Sequence, residues 1–268
     1  MNDIATDRTP HRSNSGAYLP RNRLPSMTGA QPSLNILGRP VSVVAFDLDD
    51  TLWDEHHATD RAARALYDDW HLDTRVSFEA FRLDWKRLST EQFDAFTRGE
   101  ISHLEQRRQR VRGMRELLGL PHDEAQLKRS LSLYQETYET FWTPFPESLP
   151  VLTELRSRGL GIGLITNGDG TQQRAKLARM GLTDSFDWIL ISGDVGVAKP
   201  DPRIFRELMT RSGTSAERIL FVGDRLDKDV LPARQLGMSA LQIDHGGQGG
   251  PASGAIRSLT DLLSLSPE

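Results

Sequence analysis

A short apolar stretch that runs directly into three carboxylates constrains this chain more than any other feature. Residues 43–46, Val-Val-Ala-Phe, are typical of a strand that is buried on both faces. Asp47, Asp49 and Asp50 follow at once, with Thr51 closing the group. Buried carboxylates repel one another and need partners, so we expect a bound cation beside them. Asp47 and Asp49 are two residues apart, and an extended backbone would direct both side chains the same way.

Residues 57–145 carry helical patterns only, which predicts an all-helical insert directly after the first strand. Apolar residues at helical spacing predict four helices, over about 57–70, 78–88, 101–118 and 123–142. The third helix is rich in arginine: Arg107, Arg108, Arg110, Arg112 and Arg115. Such a run is typical of a solvated helix face, and recognition of an anionic substrate is the alternative.

From Pro146 onward, helix and strand patterns alternate, which predicts right-handed crossovers and a parallel sheet covered on both sides. The expected strands cover residues 161–165, 188–191, 219–222 and 240–243. A last helix is expected over residues 256–265. The predicted fold class is therefore α/β, a Rossmann-like parallel sheet core with an inserted all-helical domain.

Polar residues close four of the expected strands. They are Asp47 with Asp49, Thr166 with Asn167, the loop at Lys199, and Asp224 with Asp229. In open α/β sheets, ligands bind beyond the carboxyl ends of the strands, where the strand order reverses. We therefore expect these four groups to meet in one site.

The chemistry of these groups suits the hydrolysis of a phosphate ester. A carboxylate such as Asp47 attacks phosphorus, and a second one, Asp49, protonates the leaving oxygen and later deprotonates water. Magnesium prefers oxygen ligands, and Asp47 and Asp224 fit that role. Thr166 and Lys199 supply a hydroxyl and an ammonium group for the phosphoryl oxygens, helped by backbone N–H groups near residue 167.

In order and context, these groups resemble the motifs of the haloacid dehalogenase superfamily over about residues 41–245. The matching motifs are Asp-x-Asp-x-Thr from Asp47, Thr166 after a strand, Lys199-Pro200 before a helix, and Gly223-Asp224 followed by Asp229. The helical insert is similar to a cap of the C1 type, as in subfamily I. Residues 166–174 resemble the branch that holds N-acylneuraminate-9-phosphatase and the YjjG-type pyrimidine nucleotidases.

The resemblance implies a role for each matching residue. Asp47 would be the nucleophile and a metal ligand, and Asp49 the acid/base, with its backbone carbonyl also on the metal. The remaining implied roles are phosphate binding by Thr166, Asn167 and Lys199, metal binding by Asp224, and support of Lys199 or a metal-bound water by Asp229. Asp227 is the alternative for that supporting role.

The predicted function is a magnesium-dependent phosphatase that hydrolyses a small phosphate monoester, a nucleoside monophosphate or a sugar phosphate, through an aspartyl-phosphate. A phosphomutase of the β-phosphoglucomutase kind is the first alternative. A 2-haloacid dehalogenase is disfavoured because members of that branch usually lack the carboxylate found here at Asp49. A regulatory relative without activity is disfavoured by the intact set of four groups.

Composition narrows the remaining possibilities. A formal net charge of -4 argues against a general nucleic-acid binder. The absence of cysteine excludes disulfides, thiolate zinc sites and cysteine nucleophiles, and it fits a cytoplasmic protein. No apolar run approaches the ~20 residues that a membrane span needs, so we expect no membrane partner. We expect a monomer or a homodimer.

The predicted domain organisation has three parts. Residues 1–36 are poor in large apolar side chains and lack the apolar middle of a secretory signal, which predicts a disordered tail. Residues 37–56 and 146–268 are expected to form the α/β core, and residues 57–145 the helical cap.

Overall fold

A five-stranded parallel sheet lies at the centre of the structure, a computed structural model that describes residues 34–36, 38–246 and 255–265. Its strands are β3 (Val43–Phe46), β4 (Gly161–Thr166), β5 (Trp188–Ile191), β6 (Ile219–Gly223) and β7 (Ser239–Gln242). They lie in the order β5-β4-β3-β6-β7, so the strand order reverses at β3. The predicted α/β class and all four strands expected after residue 146 are confirmed.

β3 occupies the middle of the sheet because all four of its side chains are buried. Val44 lies opposite Ile162 on one side and Leu220 on the other. Val44 and Phe46 belong to one hydrophobic cluster, and Val43 and Ala45 belong to the other. Successive side chains of a strand point to opposite faces, so β3 feeds both layers of the core.

Four helices separate β3 from β4, and we call them the helical insert. They are α1 (Glu55–Asp69), α2 (Phe78–Thr97), α3 (His103–Leu117) and α4 (Glu124–Thr140). Each begins after a residue whose side chain accepts a backbone N–H of the first turn: Asp54, Ser77, Ser102 and Asp123. The four predicted helices are confirmed, while the boundaries between cap and core stay a prediction.

Both ends of the insert leave the sheet at one point. Trp53 forms an antiparallel bridge with Pro144. The carbonyl oxygen of Leu52 accepts hydrogen bonds from the backbone N–H of Phe145 at 3.0 Å and from the hydroxyl of Ser148 at 2.7 Å. The chain therefore returns to the core beside the residues from which it departed.

The remaining helices connect the strands of the sheet. They are α5 (Ser148–Ser157), α6 (Gly170–Arg179), α7 (Ser192–Val195), α8 (Pro202–Ser212) and α9 (Leu231–Gln235), with a π-helical turn at Leu226–Val230 before α9. Ile204, Phe205 and Leu208 of α8 are buried in the same cluster as Val43. None of the helices within the described ranges is long and apolar enough to cross a membrane.

Two local expectations were wrong. The last helix, expected over residues 256–265, is a 3-10 helix at Leu259–Ser264, because Ile256 instead forms a bridge with Ile243. A two-stranded hairpin, β1 (Leu34–Ile36) and β2 (Arg39–Val41), was not predicted, and β1 falls within the range expected as tail. The rest of that tail, residues 1–33, lies outside the described residues.

Candidate active site

Lys199 stands at the centre of the polar residues that close the strands. Its ammonium group is buried and donates hydrogen bonds of 2.6 Å each to Asp47 Oδ1 and Asp229 Oδ1. Asn167 fixes the backbone of Lys199, donating to its carbonyl at 2.9 Å and accepting from its N–H at 2.8 Å. The ends of β3, β4 and β6 and the loop after β5 therefore meet, as the sequence predicted.

Asp47, Asp224 and Asp229 form an acidic cluster in which one ligand atom of each lies within 4.8 Å of the others. A Cβ on Gly223 would come within 2.5 Å of the Asp229 carboxyl group, so only glycine lets β6 pass this close. Thr51 contributes from the first motif, because its hydroxyl oxygen accepts the Asp224 N–H at 3.1 Å.

Asp229, rather than Asp227, joins this cluster. Asp229 is 1% exposed, and its second oxygen accepts the Arg225 N–H at 3.0 Å. Asp227 instead pairs with the Arg225 guanidinium at 2.9 Å, and its side chain is 62% exposed. The geometry thus separates two acids that the sequence left as alternatives.

The acidic cluster holds more negative charge than Lys199 balances. The pKa of Asp224 is raised to about 9, chiefly by burial and also by the neighbouring charges of Asp47 and Asp229. Burial likewise raises the pKa of Asp47 to about 7, although Lys199 opposes the shift. Burial alone would lower the pKa of Lys199, but Asp229 and Asp47 outweigh it and the pKa is raised.

The carboxylate oxygens of the acidic cluster suit a hard divalent cation. Magnesium takes carboxylate oxygens together with water and substrate oxygens. The Asp224 carboxylate accepts no hydrogen bond from any residue in the described ranges, so its oxygens are available as ligands. A cation at this position would also offset the repulsion that raises the pKa values of Asp47 and Asp224.

Asp49 is held apart from the acidic cluster by three donors. Trp53 Nε1 and Lys176 Nζ each donate to Asp49 Oδ1 at 2.7 Å, and Gln173 Nε2 donates to Oδ2 at 2.9 Å. Gln173 also donates to the hydroxyl oxygen of Thr166 at 2.7 Å. The predicted contact of the Asp49 backbone carbonyl with a metal stays a prediction.

Sequence reasoning assigned no role to Gln173 or Lys176, which lie on α6. They are three residues apart on the helix that follows Thr166, so they share one face of it. Lys176 is 2% exposed, and its ammonium lies 4.8 Å from the ring centre of Trp53 and 5.5 Å from that of Tyr138. Their shared face on the helix that follows β4 was visible in the sequence, but nothing local distinguished Lys176 from an exposed helix lysine.

A cleft of about 490 Å³ separates the strand ends from the helical insert. Its volume is typical of a site for a small molecule. Glu55 and Tyr138 enter it from the insert, and the Tyr138 hydroxyl donates to Glu55 Oε1 at 3.1 Å. The pKa of Glu55 is raised to about 7, chiefly by burial and also by the charges of Asp49 and Asp50. Burial and the neighbouring Arg107 lower the pKa of His103 to about 4.

The interpretation of the arginine run as a solvated face was wrong for three of its members. Arg107 and Arg110 line the cleft. Arg115 is 8% exposed, and its Nε donates to the carbonyl of Pro121 at 2.5 Å. Arg108 does face outward and pairs with Glu124 at 2.6 Å. A helical repeat of charges does not reveal which face a second domain will cover.

Comparison with known proteins places this arrangement among enzymes. Residues 41–237 match the haloacid dehalogenase-like hydrolase family. A glyceraldehyde 3-phosphate phosphatase of Methanopyrus kandleri is 30% identical over 210 residues, which cover 77% of this chain and 85% of the relative. The pyrimidine 5'-nucleotidase YjjG of Escherichia coli is 37% identical over 103 residues, covering 38% and 45% respectively. The magnesium-bound HAD-hydrolase YfnB of Bacillus subtilis shares the fold, with a TM-score of 0.70 at 23% identity over 84% of this chain and 98% of that one.

Proposed function

The chain belongs to the haloacid dehalogenase-like hydrolase family, and we propose that it is a magnesium-dependent phosphatase acting on a small phosphate monoester. The sequence motifs predicted this family, and the match over residues 41–237 confirms the prediction. One observation carries the proposal: Asp47, Asp224 and Asp229 converge, and the buried ammonium group of Lys199 binds two of them, Asp47 and Asp229. Such an arrangement suits a second cation and a phosphate dianion.

Asp47, Asp224 and Asp229 would hold the magnesium ion, together with the backbone carbonyl of Asp49. When bound, the ion would neutralise charge on the phosphoryl oxygens and so reduce their repulsion of a carboxylate nucleophile.

Two displacements at phosphorus account for the reaction. A carboxylate oxygen of Asp47 attacks phosphorus, the ester P–O bond breaks, and Asp49 gives a proton to the departing oxygen. Asp49 then takes a proton from water as the water oxygen attacks phosphorus, which frees inorganic phosphate and restores Asp47. Lys199 and Thr166 bind the phosphoryl oxygens throughout, beside backbone N–H groups near Asn167.

The relatives favour one substrate class. Similarity to the glyceraldehyde 3-phosphate phosphatase extends over 85% of that protein, whereas similarity to the nucleotidase extends over 45% of the latter. We therefore propose a small sugar phosphate, with a nucleoside monophosphate second. A phosphomutase of the β-phosphoglucomutase kind would use the same first step but return the phosphoryl group to the sugar.

The variant Asp47→Asn tests the nucleophile. With p-nitrophenyl phosphate and magnesium, we expect turnover to fall by at least about 10³-fold, because the amide oxygen cannot replace the carboxylate. Asp54→Asn is the matched control, since this exposed residue caps α1 and asparagine caps equally well. Undiminished turnover by Asp47→Asn would overturn the assignment. A sugar phosphate that is isomerised without release of inorganic phosphate would instead identify a phosphomutase.

A further inference from the structure

Arg107 and Arg110 lie one turn apart on α3, on the wall of the cleft that faces the strand ends. Within residues 34–36, 38–246 and 255–265, no carboxylate lies within ion-pair distance of either guanidinium group. Adjacent like charges on one helix face disfavour each other. Burial, followed by the charge of Arg110, lowers the pKa of Arg107.

The acids of the same cleft do not supply the missing counter-charge, because most already have a basic partner. The pairs are Asp49–Lys176 at 2.7 Å, Asp50–His56 at 2.6 Å, Asp94–Lys228 at 2.6 Å and Asp60–Arg82 at 3.6 Å. Glu55 accepts the hydroxyl of Tyr138. The two arginines thus form a patch of positive charge with which no described carboxylate forms an ion pair, and Glu139 acts on Arg107 only from a greater distance.

Three buried polar atoms in or beside this patch have no hydrogen-bond partner within the described part of the chain. They are Trp85 Nε1, Arg110 Nε and Gln106 Oε1, and the side chains of Trp85 and Gln106 are almost wholly buried. Two of the three atoms are donors. Buried donors are rarely left unpaired in native proteins, so an acceptor on a bound molecule is the expected partner.

Arg110 is held in place by its neighbours. Its guanidinium lies 4.9 Å from the ring centre of Trp85 and 4.5 Å from that of Tyr134, and one terminal nitrogen donates to Ser89 at 3.3 Å. Cation–π contacts of this kind do not use the N–H groups, and Arg110 Nε has no acceptor among the described residues. Arg107 has no comparable ring contact among the described residues, and it lines the cleft.

We propose that Arg107 and Arg110 bind a second anionic group of the substrate, a carboxylate or a second phosphate, while the reacting phosphate lies at Asp47. This inference rests on the proposed function and narrows it to phosphorylated sugar acids or sugar bisphosphates. Guanidinium groups suit both anions because their forks bind two oxygens at once. The cleft, about 490 Å³, has room for a molecule of that size.

Two substrate pairs isolate the second anionic group. 3-Phosphoglycerate and glycerol 3-phosphate differ only by a carboxylate in place of a hydroxymethyl group, and glucose 1,6-bisphosphate differs from glucose 6-phosphate by one phosphate. The readout is the ratio of kcat/KM within each pair, which cancels any general loss of activity. We expect a ratio of about 10 or more in at least one pair, as for hydrogen bonds to charged groups.

Arg107→Met and Arg110→Met should bring that ratio close to one, and Arg107→Lys should leave it in between. Arg108→Met is the matched control, because Arg108 lies on the same helix but pairs with Glu124 outside the cleft. This control should retain the wild-type ratio. Ratios near one for the wild-type protein in both pairs, or ratios that Arg107→Met leaves unchanged, would overturn the subsite.

Calorimetry separates failure of the subsite from failure of the proposed function. The Asp47→Asn protein should bind 3-phosphoglycerate or glucose 1,6-bisphosphate about tenfold more tightly than its matched partner. Hydrolysis of p-nitrophenyl phosphate without any preference within the pairs would reject the subsite alone. If Asp47→Asn showed this binding preference but the wild-type protein hydrolysed no phosphate ester, the phosphatase would be rejected and the subsite retained.

Discussion

The two walls of the cleft differ in how their polar side chains are satisfied. At the strand ends, Lys199 binds Asp47 and Asp229, and Asn167 fixes the lysine backbone. On the helical insert, Arg107 and Trp85 Nε1 are without such partners among the described residues. Lys199, Asp47 and Asp229 are therefore held by the protein itself, whereas the proposed partner of Arg107 and Trp85 is a bound molecule.

Removal of the central ammonium group should produce the largest effect. Lys199→Met leaves Asp47 and Asp229 buried together without their shared partner. Loss of one member of a buried ion pair costs about 3–5 kcal/mol, and we expect the free energy of unfolding in urea to fall by that amount. Hydrolysis of p-nitrophenyl phosphate should also be lost.

Arg211→Met supplies the matched control for stability. Arg211 pairs with Glu207 along the exposed side of α8 at 2.8 Å, and such surface pairs contribute at most about 1 kcal/mol. If Lys199→Met were no more destabilising than Arg211→Met, Lys199 would not be what holds Asp47 and Asp229 together.

A smaller effect is expected from Lys176, which joins the two walls. Its ammonium group pairs with Asp49 and lies against Tyr138 of the insert. In Lys176→Met, Asp49 loses one of three donors that set its orientation, so kcat should fall about 10- to 100-fold with little change in KM.

One further readout identifies Lys176 as a positioning residue. Lys176→Arg keeps a cation that can donate to Asp49, so it should restore part of kcat. A loss confined to KM, with kcat unchanged in both variants, would place Lys176 in substrate binding instead.

The smallest effect is the dependence of stability on pH without metal. The folded protein holds protons on Asp47 and Asp224, whose pKa values are raised to about 7 and about 9, while the unfolded chain releases them near pH 4. Between about pH 4 and pH 9 the folded state therefore binds more protons than the unfolded chain, so its stability falls as pH rises. Between pH 8 and pH 9, with chelator, we expect the free energy of unfolding in urea to fall by about 1 kcal/mol.

This pH dependence should belong to the strand ends alone. Asp224→Asn should flatten it, and added magnesium should remove it, because the ion binds the deprotonated carboxylates. Arg107→Met should leave the slope unchanged, since arginine does not titrate in this range. A slope that persists in Asp224→Asn would assign the titration to other groups.

The sequence was sufficient where a residue's position follows from the end of a strand. Asp47 and Asp224 come directly after a strand, Thr166 ends β4, and Lys199 follows β5 and the short helix α7. Parallel strands bring their carboxyl ends together. Only the choice between neighbours, such as Asp227 and Asp229, required coordinates.

The sequence was insufficient where a side chain's neighbours come from another part of the fold. Lys176 reads as an ordinary helix lysine, and its burial depends on Asp49 and on Tyr138 of the insert. Arg107 and Arg110 repeat at a spacing that also fits a solvated helix. Packing between elements far apart in sequence decides which face of α3 covers the cleft. Local periodicity does not report such packing.

The bridge between Trp53 and Pro144, beside the hydrogen bond that joins Leu52 to Phe145, has an evolutionary consequence. Because the chain leaves the sheet and returns to it at the same point, the helical insert is an insertion whose two ends are held together. A gene can acquire helices of another length or sequence there without altering the register of any strand. Substrate selectivity can thus change when the helical insert is replaced, while the residues at the strand ends stay the same.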